Sequence, residues 1–219
     1  MSRSDLSEPP APNAVPDAAA AGISGPVTPT TPTTPPPDAE SPQRHEQAPA
    51  PGTELGQHYP MCFACGEEQP NGLHLRMFAD EGVAVRAQFE VGPPHQGAPG
   101  LIHGGLLSLA FDEVIGALHW MMRVPAVTGR LETDFIRPVP LGSTVHFSAR
   151  CVGVHGRKLY HRAEGRLDSP DGELAAQATA LFVEVRLGHF AKHGRAEEVQ
   201  AVLDNPDDYR MLRAFEVNP

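Results

Sequence analysis

The sequence predicts an α+β fold in which an antiparallel sheet wraps around one long helix. One stretch, residues 104–123, is apolar around most of its helical circumference; two extended segments precede it and four follow it. A helix without a polar face has to be covered on nearly every side. Alternating strands separated by turn residues are the cover this chain offers.

The elements follow in order. Residues 73–79 and 83–90 read as strands joined by the hairpin turn Asp80-Glu81-Gly82. Residues 91–100, rich in Gly and Pro, read as a loop. The helix runs from Leu106 and Leu107 through Phe111, Val114 and Ile115 to Trp120 and Met121. Strands are then predicted over 127–136, 144–154, 158–167 and 174–186, with turns at 138–142, His155-Gly156-Arg157 and 169–172. Residues 175–180 favour a helix in isolation, so the last strand depends on its neighbours.

Thirteen of the 24 prolines lie before Gly52, in runs such as Pro35-Pro36-Pro37, among almost no large apolar residues. Such a stretch buries too little surface to offset the entropy of ordering it. Residues 1–52 are therefore expected to be a disordered tail, 53–187 the folded domain, and 188–219 an extension with a short helix. The formal net charge of -10, without a basic stripe, argues against a nucleic-acid partner. No apolar run approaches the ~20 residues a membrane span needs, and the N-terminus lacks a leader's apolar region. Three cysteines make no disulfide framework. A cytoplasmic location is expected.

The segment Gln96-Gly97-Ala98-Pro99-Gly100-Leu101-Ile102-His103-Gly104-Gly105, with Asp112 nine residues after the histidine, resembles the signature of PaaI-type (phenylacetate-degradation-type) hotdog thioesterases. Val127-Thr128-Gly129-Arg130-Leu131 resembles that family's following strand, and Arg137-Pro138-Val139-Pro140-Leu141-Gly142, Gly156-Arg157-Lys158 and residues 178–183 also fit. The resemblance spans residues 60–186. It implies a hotdog fold, an acyl-CoA substrate hydrolysed to free acid and CoA, Asp112 as the catalytic acid group, Thr128 as its assistant, and active sites at the interface of a homodimer or homotetramer. Where some relatives carry an Asn, this chain has Gly97, with Gln96 beside it as a substitute contact.

The residues allow the same chemistry. Glycines opening a helix leave backbone N–H groups uncovered at its positive end, so Gly104 and Gly105 suit the polarisation of a thioester carbonyl. A carboxylate in an apolar helix is costly unless paired or used; Asp112 is the candidate general base, with direct attack on the thioester as the alternative. Its neighbour Glu113, ~100° round the helix, reads as an ordinary surface acid. Gly105 and Asp112 are separated by ~10 Å along the axis, so one helix cannot supply both halves of the site, whereas two helices across a two-fold axis can. His103 is expected to fix the loop by hydrogen bonding.

Arg130, Arg157 and Lys158 are candidates for pairing with CoA phosphates. Cys62-x-x-Cys65 is half a zinc site that His58 or His95 would have to complete, but buried thiols are the simpler expectation. No metal and no cofactor are therefore assigned. Two other functions remain open: a hotdog hydratase or dehydratase, and a non-catalytic acyl-CoA-binding module.

Overall fold

The computed structural model describes residues 31–185. The expected segments at residues 1–30 and 186–219, including the C-terminal helix, lie outside the described residues. One sheet holds seven strands: β1 (Glu54–Leu55), β2 (Arg76–Ala79), β3 (Ala84–Glu90), β6 (Ala126–Phe135), β7 (Thr144–His155), β8 (Lys158–Leu167) and β9 (Leu174–Glu184). Their order is β1-β2-β3-β7-β8-β9-β6, and all neighbours are antiparallel. The six predicted strands are present; β1 adds a short seventh at one edge. Residues 91–100, predicted as a loop, contain a 3-10 turn at Pro93–His95 and β4 (Gln96–Ala98), which pairs with β5 (Leu101–Ile102).

The predicted long helix is two: α1 (Gly104–Gly116) and α2 (Leu118–Met122). At the junction the Ala117 N–H still donates to the Glu113 carbonyl at 2.9 Å, while the Trp120 N–H reaches only three residues back, to Ala117, at 3.2 Å. Gly116 has the weak helix propensity that favours such a tightening.

Topology explains why the helix is buried. The chain leaves the sheet at β3 and rejoins it at β6, the far edge. Those strands are four spacings apart, ~19 Å at ~4.8 Å each, and α1 with its 13 residues spans ~20 Å. The helix thus crosses the face of the sheet and lies on it. Phe111, Val114, Ile115 and Leu118 are fully buried there, each contributing about 1.5–3 kcal/mol of hydrophobic stabilisation. Alternation along the strands aims Val85, Ala87 and Phe89 of β3 and Val145, Phe147 and Ala149 of β7 at the helix. The Phe111 ring meets Phe147 edge-on at 5.1 Å, a favoured aromatic geometry.

Residues 31–52, expected to be disordered, are laid on the domain instead. The Thr33 hydroxyl is 2.7 Å from Glu132 and 2.9 Å from Thr179. Glu40 bridges Val154 of β7 through both backbone groups, and the His45 N–H donates to the Met121 carbonyl at 2.8 Å. Arg44 donates to the carbonyls of Asp80, Gly82 and Pro49. Large apolar residues are not required, because the anchors are hydrogen bonds to side chains and to backbone groups of the domain.

Candidate active site

α1 begins at His103, whose Nδ1 accepts a hydrogen bond from the Gly105 N–H at 2.9 Å. The histidine is thus the N-cap of the helix. This corrects one expectation: the Gly105 amide is already engaged, because the imidazole of the capping residue folds back over it. Among the described residues the Gly104 N–H has no acceptor, and it lies at the positive end of the helix. The Phe135 ring, at the end of β6, borders Gly104, 3.4 Å from where a Cβ would stand. Gly97 packs so tightly on His103 that an added Cβ would lie 2.6 Å from its Cα. No side chain fits there, which is the physical reason this position cannot hold the Asn of some relatives. The Gln96 Oε1 accepts from the Gly100 N–H at 3.0 Å and so closes its own loop.

Asp112 lies two turns along α1 and is half-buried. Thr128 of β6 donates its hydroxyl to the carboxylate at 2.7 Å. Burial pushes the Asp112 carboxyl above the usual carboxylate range, opposed by the Thr128 hydrogen bond and aided by the neighbouring Glu113 charge. A carboxylate raised in this way is a better base than an exposed one.

Thr128 reaches the helix because β6 is irregular. The register against β9 shifts between Thr128 and Arg130, leaving Gly129 as an extra residue. In a regular strand Thr128, Arg130 and Glu132 would share one face. The bulge breaks that alternation. Thr128 turns inward to Asp112, while Arg130 and Glu132 reach Thr31 and Thr33 on the N-terminal segment.

The predicted basic residues fare differently. Arg130 faces the outer side of the sheet, where it meets the Thr31 carbonyl and Glu132; it lies across the sheet from Asp112, the consequence of the same bulge. The Arg157 guanidinium straddles the Glu184 carbonyl at 2.9 and 2.6 Å and closes the end of β9. Lys158, beside it at the start of β8, is half-buried.

Glu113 is not a surface acid. Its side chain is 14% exposed and lies 2.8 Å from the His58 Nδ1. The Cys62 Sγ is 3.8 Å from the other Glu113 oxygen, and the Cys65 Sγ is 3.2 Å from His58. The sequence signals for this cluster were the CxxC and a second acid on the apolar helix. What concealed it was the distance along the chain between residues 58–65 and Glu113. His95, the other candidate partner for the cysteines, is committed elsewhere: its Nδ1 accepts from the Gly92 N–H and its Nε2 contacts the Gly72 carbonyl.

An antiparallel sheet curved over one central helix is the hotdog fold. Residues 99–173 match the Thioesterase superfamily family model. The chain is similar to the acyl-coenzyme A thioesterase THEM4 of Xenopus laevis, 32% identical over 97 residues, 44% of this chain and 43% of that protein. With the THEM4 of Bos taurus it shares 34% identity over 125 residues, 56% of this chain and 51% of that one. The chain spans about half the length of the curated relatives it matches. Among solved structures, the thioesterase superfamily protein RHA08564 superposes with a TM-score of 0.53 at 26% identity, over 63% of this chain and 70% of that one. No helix among the described residues is long and apolar enough to cross a membrane.

Proposed function

We propose that this protein hydrolyses an acyl-CoA thioester to the free carboxylic acid and CoA, with Asp112 as general base. The observation that carries the reading is the Asp112 carboxylate on the central helix, raised by burial and held at 2.7 Å by Thr128. Matched relatives named as acyl-coenzyme A thioesterases support the substrate class.

In this reading Asp112 takes a proton from water, and the resulting hydroxide attacks the thioester carbonyl carbon. The Gly104 N–H stabilises the oxyanion of the tetrahedral intermediate. When the intermediate collapses, the carbon–sulfur bond breaks and the CoA thiolate recovers the proton from Asp112. Thr128 fixes the carboxylate's direction, and His103 shapes the helix start without taking a proton. Lys158 is the remaining basic candidate for the CoA phosphates; Arg157 would have to leave the Glu184 carbonyl to join it.

The site is completed by a second copy. On one chain the Gly104 amide sits by Phe135 and Asp112 by Thr128, near opposite ends of β6. That strand is an edge of the sheet, and Phe135 and Ile136 beside it are 56% and 44% exposed. An open edge is a template for pairing. Two copies of β6 paired antiparallel about the midpoint of Leu131 and Glu132 would set Thr128 of one opposite Phe135 of the other, bringing Asp112 of the partner subunit toward Gly104. A homodimer working in the cytoplasm is the form we assign.

The test is a panel of acyl-CoAs with detection of released thiol and of the acid. Thiol release with matching acid supports the reading. Change in enoyl absorbance without thiol would identify a hydratase, and saturable CoA binding without turnover a binding module; either would overturn it.

A further inference from the structure

The proposed hydrolysis uses neither cysteine of the CxxC, nor His58, nor Glu113. Four groups of metal-binding type nonetheless converge: the His58 Nδ1, the two thiols and the Glu113 carboxylate have donor atoms all within 4.8 Å of one another. We propose that His58, Cys62, Cys65 and Glu113 bind one zinc ion, which clasps the loop before β2 to the central helix. This is independent of the thioesterase reading, and either can fail without the other.

The donor set fits the ion. Two thiolates, an imidazole and a carboxylate suit a borderline-soft divalent cation, and four ligands suit tetrahedral zinc. With bonds of ~2.0–2.3 Å, the edges of such a tetrahedron are ~3.3–3.8 Å. The separations found are 2.8 Å for His58 to Glu113, 3.2 Å for His58 to Cys65 and 3.8 Å for Cys62 to Glu113. The remaining donor pairs lie within 4.8 Å, so the four groups have to close by about 1 Å at most to reach the tetrahedron's edges.

The loop is also built as a thiolate holder. The Ala64 N–H donates to the Cys62 Sγ at 3.4 Å, and the Gly66 N–H to the Cys62 carbonyl at 2.9 Å. This turn admits only glycine after the second cysteine. A Cβ on Gly66 would lie 2.3 Å from the Pro60 carbonyl oxygen. The Leu73 and Leu75 N–H groups donate to the Phe63 and Ala64 carbonyls at 2.9 Å each and pin the loop to the domain. Amide donors to ligand sulfur are the outer-shell feature that steadies a metal site.

A divalent cation bound here would take the place of the thiol protons and balance two thiolates and a carboxylate. His58, 34% exposed, gives the ion a path from solvent.

The experiment uses the full chain, expressed with zinc and purified under reductant. Elemental analysis should find about one zinc per chain. Chelation should remove it, lower Tm and make two further thiols react with a thiol reagent; added zinc should reverse all three effects. Cobalt in place of zinc should show the visible bands of a tetrahedral thiolate site, a readout that needs no variant. Cys65→Ser and Glu113→Gln should lose the metal, whereas Cys151→Ser, outside the cluster, should keep it. Substoichiometric metal without saturable zinc or cobalt uptake would overturn the proposal. So would metal retained in Cys65→Ser, or a Cys62–Cys65 disulfide persisting under reductant.

Discussion

At the scale of single residues, the proposed hydrolysis puts the chemistry on Asp112, whose one side-chain support is Thr128. Replacing it by Asn keeps the shape and the Thr128 hydroxyl contact but removes the base; kcat should fall ~10²–10⁴-fold, the usual worth of a positioned base. A rapid-mixing thiol assay checks this. Thr128→Val removes only the hydroxyl that directs the carboxylate, so a smaller loss of kcat is expected, with little change in KM.

The buried histidine pair acts on stability instead. His119 and His161 meet Nε2 to Nε2 at 3.3 Å, against Phe182, in the core. Burial lowers the His119 imidazole to about 3 and, with the His119 charge adding, lowers His161 well below its ordinary range. Both are neutral when folded, whereas the unfolded chain binds their protons below about pH 6.5. Stability is thus fully present above pH 6.5. It falls as pH drops toward 3, by about 1.4 kcal/mol per pH unit for His119. Urea unfolding from pH 7 to 4.5 reads this directly, and His119→Phe should flatten the slope.

Elements show what the sequence could and could not convey. Strand alternation and turn residues carried all six predicted strands, since both are local in the chain. The histidine and glycine pair at the helix start are equally local, which is why the start of α1 and a hydrogen-bonding His103 were legible. The bulge at Gly129 was not: a glycine inside a strand hints at one, but which neighbours reverse depends on pairing with β9. That reversal separates Thr128 from Arg130 and puts them on opposite faces of the sheet. Deleting Gly129 leaves Thr128 opposite Phe182 and Arg130 opposite Leu181 as consecutive residues of a regular strand, so the Thr128 contact with Asp112 should survive and kcat should fall less than in Thr128→Val.

The segment 31–52 was misjudged for a different reason. Low apolar content predicts disorder when hydrophobic burial must do the work, but here Arg44 and Thr33 anchor the chain through hydrogen bonds. Arg44→Ala removes charge-assisted bonds to three carbonyls, each worth about 1.5–3 kcal/mol at most and less where solvent reaches. A fall in the urea midpoint, with amide exchange rising across residues 44–52, is the expected result.

At the scale of the whole molecule, the proposed shared site joins two observations: β6 is an edge of the sheet among the described residues, and Gly104 and Asp112 contact it near opposite ends. The sheet covers one side of α1; the side carrying Asp112 faces the edge where a copy would dock. The central claim, a site shared between chains, is tested by mixing two inactive variants, Asp112→Asn and Gly104→Val, after unfolding and refolding together. A mixed dimer would unite the intact Gly104 of one chain with the intact Asp112 of the other. Half the dimers would then carry one working site of two, giving about a quarter of the wild-type activity. A mixture as inactive as its parents, with mixed dimers shown to form, would contradict the shared site.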